Sequence, residues 1–231
     1  MTEPLRRYQW LLRLLAPALL LMGRKQDPAR WQERLGRYSG PLPDRPIWLH
    51  AASFGEAKAA GILIEALRQQ GYQGAWVVTT TTRTGAEAIQ AFLRPSDRHL
   101  YAPIDLQSCV RRALQQLAPR LLIVMEVEIW PNLWAECQRQ GVPVVLANAR
   151  LSESSLRKYL KFLPRLWSAT LERADCILAQ SEPIAARFQQ LGVAAERIQI
   201  SGNLKYSQAL PSDISIKGAA LRQQLGQGRP V

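Results

Sequence analysis

The sequence predicts an α/β protein built on a Rossmann-like, doubly wound parallel sheet, and three observations carry that prediction. Short apolar runs recur along the chain, each is continuous rather than alternating, and stretches of helical periodicity separate them. A strand buried on both faces reads as an unbroken apolar run, which suits a parallel sheet covered by helices on either side. The 231 residues, 47% of them apolar, suffice for one large domain with its own core.

The first element, residues 1–26, is of another kind. Trp10 to Met22 is apolar apart from Arg13 and is flanked by Arg6, Arg7, Arg24 and Lys25. It is shorter than the ~20 residues a bilayer crossing needs. Gly-Arg-Lys follows it, where a secretory signal would place a small-residue cleavage site. An interfacial helix, apolar face in the acyl boundary and basic residues on anionic headgroups, accounts for both features. A first helix docked on its own domain, or one partly docked and partly in lipid, is the competing expectation. Residues 1–45 hold nine Lys or Arg against four acids, so the basic excess lies where an anchor would sit.

Residues 27–206 form the expected sheet domain. Its strands are read at 47–49, 76–78, 121–125, 142–146, 176–179 and 198–200. Ala60, Leu63, Ile64 and Leu67 repeat at helical spacing, as do Leu106, Val110, Ala113, Leu114 and Leu117. Ile184, Phe188 and Leu191 do the same behind Ser181 as a cap, with Pro183 near the first turn. Residues 207–231 read as a linker and the start of a second, truncated domain, with Pro230 and Val231 opening its first strand.

Composition narrows the function. The formal net charge of +12 favours anionic partners, although a generally basic, soluble surface would give the same figure. Cys109, Cys137 and Cys176 are far apart and His50 and His99 are the only histidines, so neither a disulfide framework nor a zinc site is supported. A reduced, cytosolic setting fits such cysteine usage. No Gly-x-Gly-x-x-Gly follows the first strand, no Walker-type loop is present, and no Asp-x-Asp pair offers itself to a divalent metal. No cofactor is expected, and metal-independent chemistry is the better reading.

Ligands of open α/β sheets bind beyond the carboxyl ends of the strands. Four such ends are rich in functional groups. His50-Ala-Ala-Ser53-Phe-Gly55-Glu56 follows the first run; Gly55 permits a tight turn and Glu56 falls in the first turn of the next helix, where the helix dipole alone could explain a carboxylate. Glu126-Val-Glu128-Ile-Trp130-Pro-Asn132 follows a core strand, and a carboxylate emerging from apolar surroundings must pair or shift its pKa. Asn148-Ala-Arg150-Leu-Ser152 and Gly202-Asn-Leu-Lys205 bring amides and cations to the same edge, suited to phosphate, carboxylate or sugar hydroxyls, though either could be a solvated loop. The hydroxyls of residues 79–85 are a weaker signal of the same kind.

Taken in order, these segments resemble the N-terminal domain of the 3-deoxy-D-manno-octulosonic acid (Kdo) transferases of lipopolysaccharide biosynthesis. The matching stretches are 50–56, 79–85, Tyr101-Ala-Pro-Ile-Asp105, Glu126-Val-Glu-Ile-Trp-Pro-Asn-Leu133, 148–152 and Gly202-Asn-Leu-Lys-Tyr206, with Trp31-Gln-Glu-Arg-Leu-Gly-Arg37 and the amino-terminal anchor in addition. The resemblance implies the N-terminal, acceptor-binding half of a GT-B glycosyltransferase, with residues 207–231 opening the half that binds the donor, CMP-Kdo. It implies lipid IVA, an acylated and phosphorylated lipid A precursor, as acceptor. It further implies an inverting transfer at the cytoplasmic face of the inner membrane, against its anionic surface. Glu56 matches the general base, and Glu126 and Lys205 match positions that stabilise the transition state. Ser53, Gly55, Asn148 and Arg150 are read as substrate-binding. Without the donor half, the chain as it stands is expected to be inactive.

Two rivals remain. Another GT-B enzyme would use a different nucleotide-sugar donor and would have no need of Trp130-Pro-Asn132. A basic module binding nucleic acid or membrane is suggested by charge alone; the cations are dispersed without interleaved aromatic residues, so nucleic acid is not expected as a partner.

Overall fold

A computed structural model of the chain describes residues 3–26 and 28–207. In chain order the elements are α1 (Glu3–Gln26), α2 (Trp31–Arg34), β1 (Ile47–His50), α3 (Phe54–Gln69), β2 (Trp76–Thr80), α4 (Arg83–Gln90), β3 (Arg98–Tyr101) and α5 (Gln107–Leu117). They continue with β4 (Leu121–Met125), α6 (Pro131–Gln140), β5 (Val144–Ala149), α7 (Glu153–Lys161), α8 (Pro164–Leu171), β6 (Cys176–Ala179), α9 (Glu182–Gln190) and β7 (Ile198–Ile200). A last 3-10 turn spans Leu204–Ser207. The expected linker and truncated domain fall, from residue 208 on, outside the described residues.

The seven strands are parallel in the order β3-β2-β1-β4-β5-β6-β7. Chain direction across the sheet reverses between β1 and β4, which are neighbours in register with His50 opposite Val124. This is the Rossmann-like, doubly wound topology that the apolar runs predict, with its switch point between those two strands.

The continuous runs arise because each strand packs on both faces. Trp48, Val77, Leu122 and Val124 point to one core, shared with Leu114 of α5, Trp134 of α6, Leu171 of α8 and Phe188 of α9. Their sequence neighbours Leu49, Val78, Ile123 and Met125 point to the other, shared with Ala60 and Ile64 of α3 and Ile89 of α4. On that second face Gly61 lets α3 approach the chain after α4, since a Cβ there would lie 2.3 Å from the Phe92 ring.

Three readings need correction. β3 was not anticipated from Arg98-His-Leu-Tyr101. Its outer side is held by polar side chains: Arg30 donates to the His99 carbonyl (3.0 Å) and Glu33 accepts from the Tyr101 amide (2.6 Å). The run at 142–146 becomes β5 from Val144 to Ala149, displaced towards the carboxyl end, with a register irregularity between Leu146 and Ala149. Ser181 stands at the N-cap of α9 but makes no side-chain capping bond.

No helix among the described residues is long and apolar enough to cross a membrane. α1 is nevertheless divided in character. Leu5 and Gln9 are buried against the domain, the Tyr8 hydroxyl donates to Asp105 (2.9 Å), and the Gln9 amide donates to Asn132 (2.9 Å). Trp10, Leu14 and Leu21 are 66%, 62% and 64% exposed. Docking on the domain and an uncovered apolar face coexist on one helix.

Candidate active site

The switch point places the end of β1 beside the end of β4, and the segments that follow bring Glu56 on one side within the influence of Glu126 and Glu128 on the other. Ser53 is the N-cap of α3 and its hydroxyl accepts from the Glu56 amide (3.4 Å). In return the Glu56 carboxylate accepts from the Ala52 amide (2.8 Å) and the Ser53 hydroxyl (2.9 Å). This reciprocal pattern is a capping box, so Glu56 has the helix-start role that its position alone suggests. It has more besides. Burial raises its pKa above the ordinary carboxylate value and the charges of Glu128 and Glu126 raise it further, while the two hydrogen bonds oppose them. A carboxyl group held by two donors yet shifted upward is suited to accepting a proton.

The loop carrying Glu56 is braced from β2. Thr79 and Thr80 are buried, the hydroxyl groups of Thr81 (2.8 Å) and Thr82 (3.3 Å) donate to the Ala52 carbonyl, and Thr82 also caps α4 through the Gly85 amide. The hydroxyl-rich run therefore supports the crevice wall. Gly55 makes no tight turn: it lies within α3, and a Cβ there would meet nothing within 4 Å. The reading of Gly55 as a turn residue is corrected to an open position in the first helical turn.

At the end of β4 the backbone turns sharply. Glu126 has φ 56°, a left-handed conformation rarely taken by a residue with a Cβ, and its amide donates to the Ala147 carbonyl (2.9 Å). Its carboxylate pairs with Arg150 across 3.5 Å, which answers the expectation that an acid leaving a core strand must find a partner. Two residues on, Glu128 accepts from the Trp130 indole (2.8 Å) and lies 3.9 Å from His50 Nε2. The His50 and Trp130 rings meet edge-on with centroids 4.8 Å apart. Burial by itself would raise the Glu128 pKa, but the contacts with His50 and Trp130 outweigh it and hold the group below its ordinary value.

Asn148 also has positive φ (51°), at the register irregularity of β5. It is 2% exposed and its carboxamide oxygen accepts from the Leu204 amide (3.2 Å). That bond ties the turn bearing Lys205 to the sheet edge, and Leu204 packs on the core face that α3 covers. The backbone at Lys205 is thereby held next to Asn148 at the carboxyl end of β5; the Lys205 side chain lies outside the described residues. Of the residues read as substrate-binding, Ser53 holds Glu56, Arg150 pairs with Glu126, and Asn148 holds the chain from behind the rim.

The sequence reading missed the part played by His50 and Trp130 around Glu128, although both lie in its matching segments. It also missed the part played by the half-buried Asp105. Asp105 accepts from the amides of Asn132 (3.1 Å) and Leu133 (2.9 Å) and from Tyr8, and desolvation pushes its pKa up to about 7. It joins α1 to the first turn of α6, immediately after Trp130.

The family model for 3-deoxy-D-manno-octulosonic-acid transferase (kdotransferase) matches residues 29–208. The 3-deoxy-D-manno-octulosonic acid transferase of Haemophilus influenzae is 36% identical over 207 residues, covering 87% of this chain and 48% of that protein. That of Bordetella pertussis is 39% identical over 189 residues, covering 80% and 43%. The chain thus spans less than half the length of these two relatives. Among solved structures, Anabaena Alr3699/HepE in complex with UDP aligns with a TM-score of 0.54 at 19% identity, over 78% of this chain and 50% of that one. The S. aureus MnaA-UDP co-structure aligns at 0.53 and 18% identity, over 75% and 51%. Those two likenesses are of fold. With its sheet domain matched almost end to end, the chain belongs to the 3-deoxy-D-manno-octulosonic acid transferase family.

Proposed function

We propose that this chain is the acceptor-binding half of a GT-B enzyme that transfers Kdo from CMP-Kdo to lipid IVA in lipopolysaccharide biosynthesis. The observation that carries this reading is the meeting of Glu56 with Glu126 and Glu128 at the topological switch point, in a chain whose relatives are named 3-deoxy-D-manno-octulosonic acid transferases. Glu56 takes the proton from an acceptor hydroxyl as its oxygen attacks the anomeric carbon of Kdo. The bond to CMP breaks with its electron pair going to the leaving phosphate, and the configuration inverts. A positioned base of this kind contributes roughly 10²–10⁴-fold in rate. Arg150 keeps the Glu126 carboxylate at the rim, where negative charge can support an oxocarbenium-like centre, and Lys205 offers a cation to the Kdo carboxylate or the leaving group.

Localisation follows from α1 in the same proposal. Its docked residues fix the helix to the domain while Trp10, Leu14 and Leu21 are left for the acyl boundary at the cytoplasmic face of the inner membrane. Basic residues of the chain would meet the anionic headgroups there. The donor is assigned to a partner half beyond residue 206, and the reaction is assigned no metal.

The test is a transfer assay with a chain extended through the donor half, given CMP-Kdo and lipid IVA, with and without EDTA. Product formed equally in both arms is expected. No product with lipid IVA, or transfer from a different nucleotide sugar, would overturn the assignment of substrates; loss of product with EDTA would overturn the metal-free mechanism.

A further inference from the structure

Glu128 has no assigned part in the reaction, yet it is held against the end of β1, at His50, two residues before the Ala52 amide from which Glu56 accepts. The Trp130 indole donates to its Oε2 (2.8 Å), and His50 Nε2 faces the same oxygen at 3.9 Å. His50 is 1% exposed, and its Nε2 has no hydrogen-bond partner. Its ring is turned this way from behind: Thr79 Oγ1 accepts from the Trp48 indole (2.8 Å) and lies 3.0 Å from His50 Nδ1. A row of buried groups, Trp48, Thr79 and His50, thus points towards the Glu128 carboxylate without bonding to it. Such a row is costly to bury unless its last member has a purpose.

We propose that Glu128 is a positioning residue for the base: clamped by Trp130 and His50, its carboxylate keeps a fixed negative charge beside Glu56, so that Glu56 holds the proton it takes from the acceptor. This rests on the reading of Glu56 as the base. The groups facing Glu56 are Glu128 and Glu126 from the loop after β4, the latter paired with Arg150 from beyond β5. Those facing Glu128 are His50 of β1 and the Tyr159 phenol of α7, whose own pKa is raised by burial and by the Glu128 charge. Glu126 shares its charge with Arg150, so removal of Glu128 should act on Glu56 with little compensation.

The experiment is the pH profile of kcat/KM for the extended chain, wild type against Glu128→Gln. This substitution keeps the shape and leaves an oxygen to accept from Trp130. Loss of the neighbouring charge should move the acid limb to lower pH, and the plateau should fall because the base is weaker. Glu128→Asp, which retains the charge, should return the limb towards its wild-type position. A lowered plateau with an unmoved limb would reveal a merely structural residue and overturn the inference. Should Glu128→Gln lose its fold, Glu128→Ala, which removes the same charge, carries the test, and the limb should move in the same direction. Glu56→Gln is measured alongside. If that variant keeps its transfer rate, the base assignment fails and this inference with it; if it loses transfer while Glu128→Gln leaves the limb in place, only this inference fails.

Discussion

The two ends of the sheet treat carboxylates in opposite ways. At the amino-terminal end Asp97 accepts from the amides of Trp76 (3.0 Å) and Arg94 (2.7 Å) and from the Arg68 guanidinium, and its side chain is 1% exposed. Asp175, although exposed, also accepts from the Val144 amide at the start of β5 (2.8 Å). At the carboxyl end Glu56, Glu126 and Glu128 each have partners but are half-buried, and the charges of Glu126 and Glu128 act on Glu56. Enclosed carboxylates stitch strands together, whereas half-enclosed ones retain the capacity to exchange a proton or meet a ligand. Asp105 shows that partners as well as location decide: it lies at the carboxyl edge, yet its carboxylate is taken up by the Tyr8 hydroxyl and the Asn132 and Leu133 amides and joins α1 to α6.

The largest expected effect lies in the crevice. Glu56→Gln in the extended chain should cost roughly 10²–10⁴-fold in transfer rate. Its melting temperature should stay near wild type, because Gln also serves in a capping box. A large loss of stability with modest loss of rate would break the contrast between the two ends. At the other end, Asp97→Ala should leave Arg68 unpaired and cost about 3–5 kcal/mol in urea unfolding.

The Asp105 prediction concerns pH. Its folded pKa of about 7 lies above the ordinary 3.8, so between those values the folded state binds more protons than the unfolded one. Stability from this group is therefore full below about pH 4 and declines as pH rises towards 7. Denaturation midpoints at pH 5 and pH 8 should differ less in Asp105→Asn than in wild type. Glu126→Gly should relieve the strained backbone at φ 56°, leaving stability unchanged or higher by up to about 1 kcal/mol while lowering transfer. The smallest effect should come from the exposed Arg83–Glu87 pair on α4, where Glu87→Ala should change stability by less than about 0.5 kcal/mol.

What could be read directly was what burial imprints on residue type. β1, β2 and β4 are legible because both faces of each are covered, and the acid-rich corner after β4 stands out against them. β3 was hidden because Arg30 and Glu33, distant in sequence, satisfy its outer edge, so Arg98 and His99 could be accommodated there. The displacement of β5 was hidden by the irregularity at Asn148, which no periodicity announces.

The sequence by itself determined the parallel sheet, the helical faces and the residues gathered at strand ends, since alternation and apolar content follow from local burial. Only the tertiary structure decided that β1 and β4 are neighbours, that Glu126 pairs with Arg150, and that His50 and Trp130 close on Glu128. Those contacts join residues tens of positions apart or depend on a single backbone turn. Their energies come from distance and desolvation, which a linear order of residues does not contain.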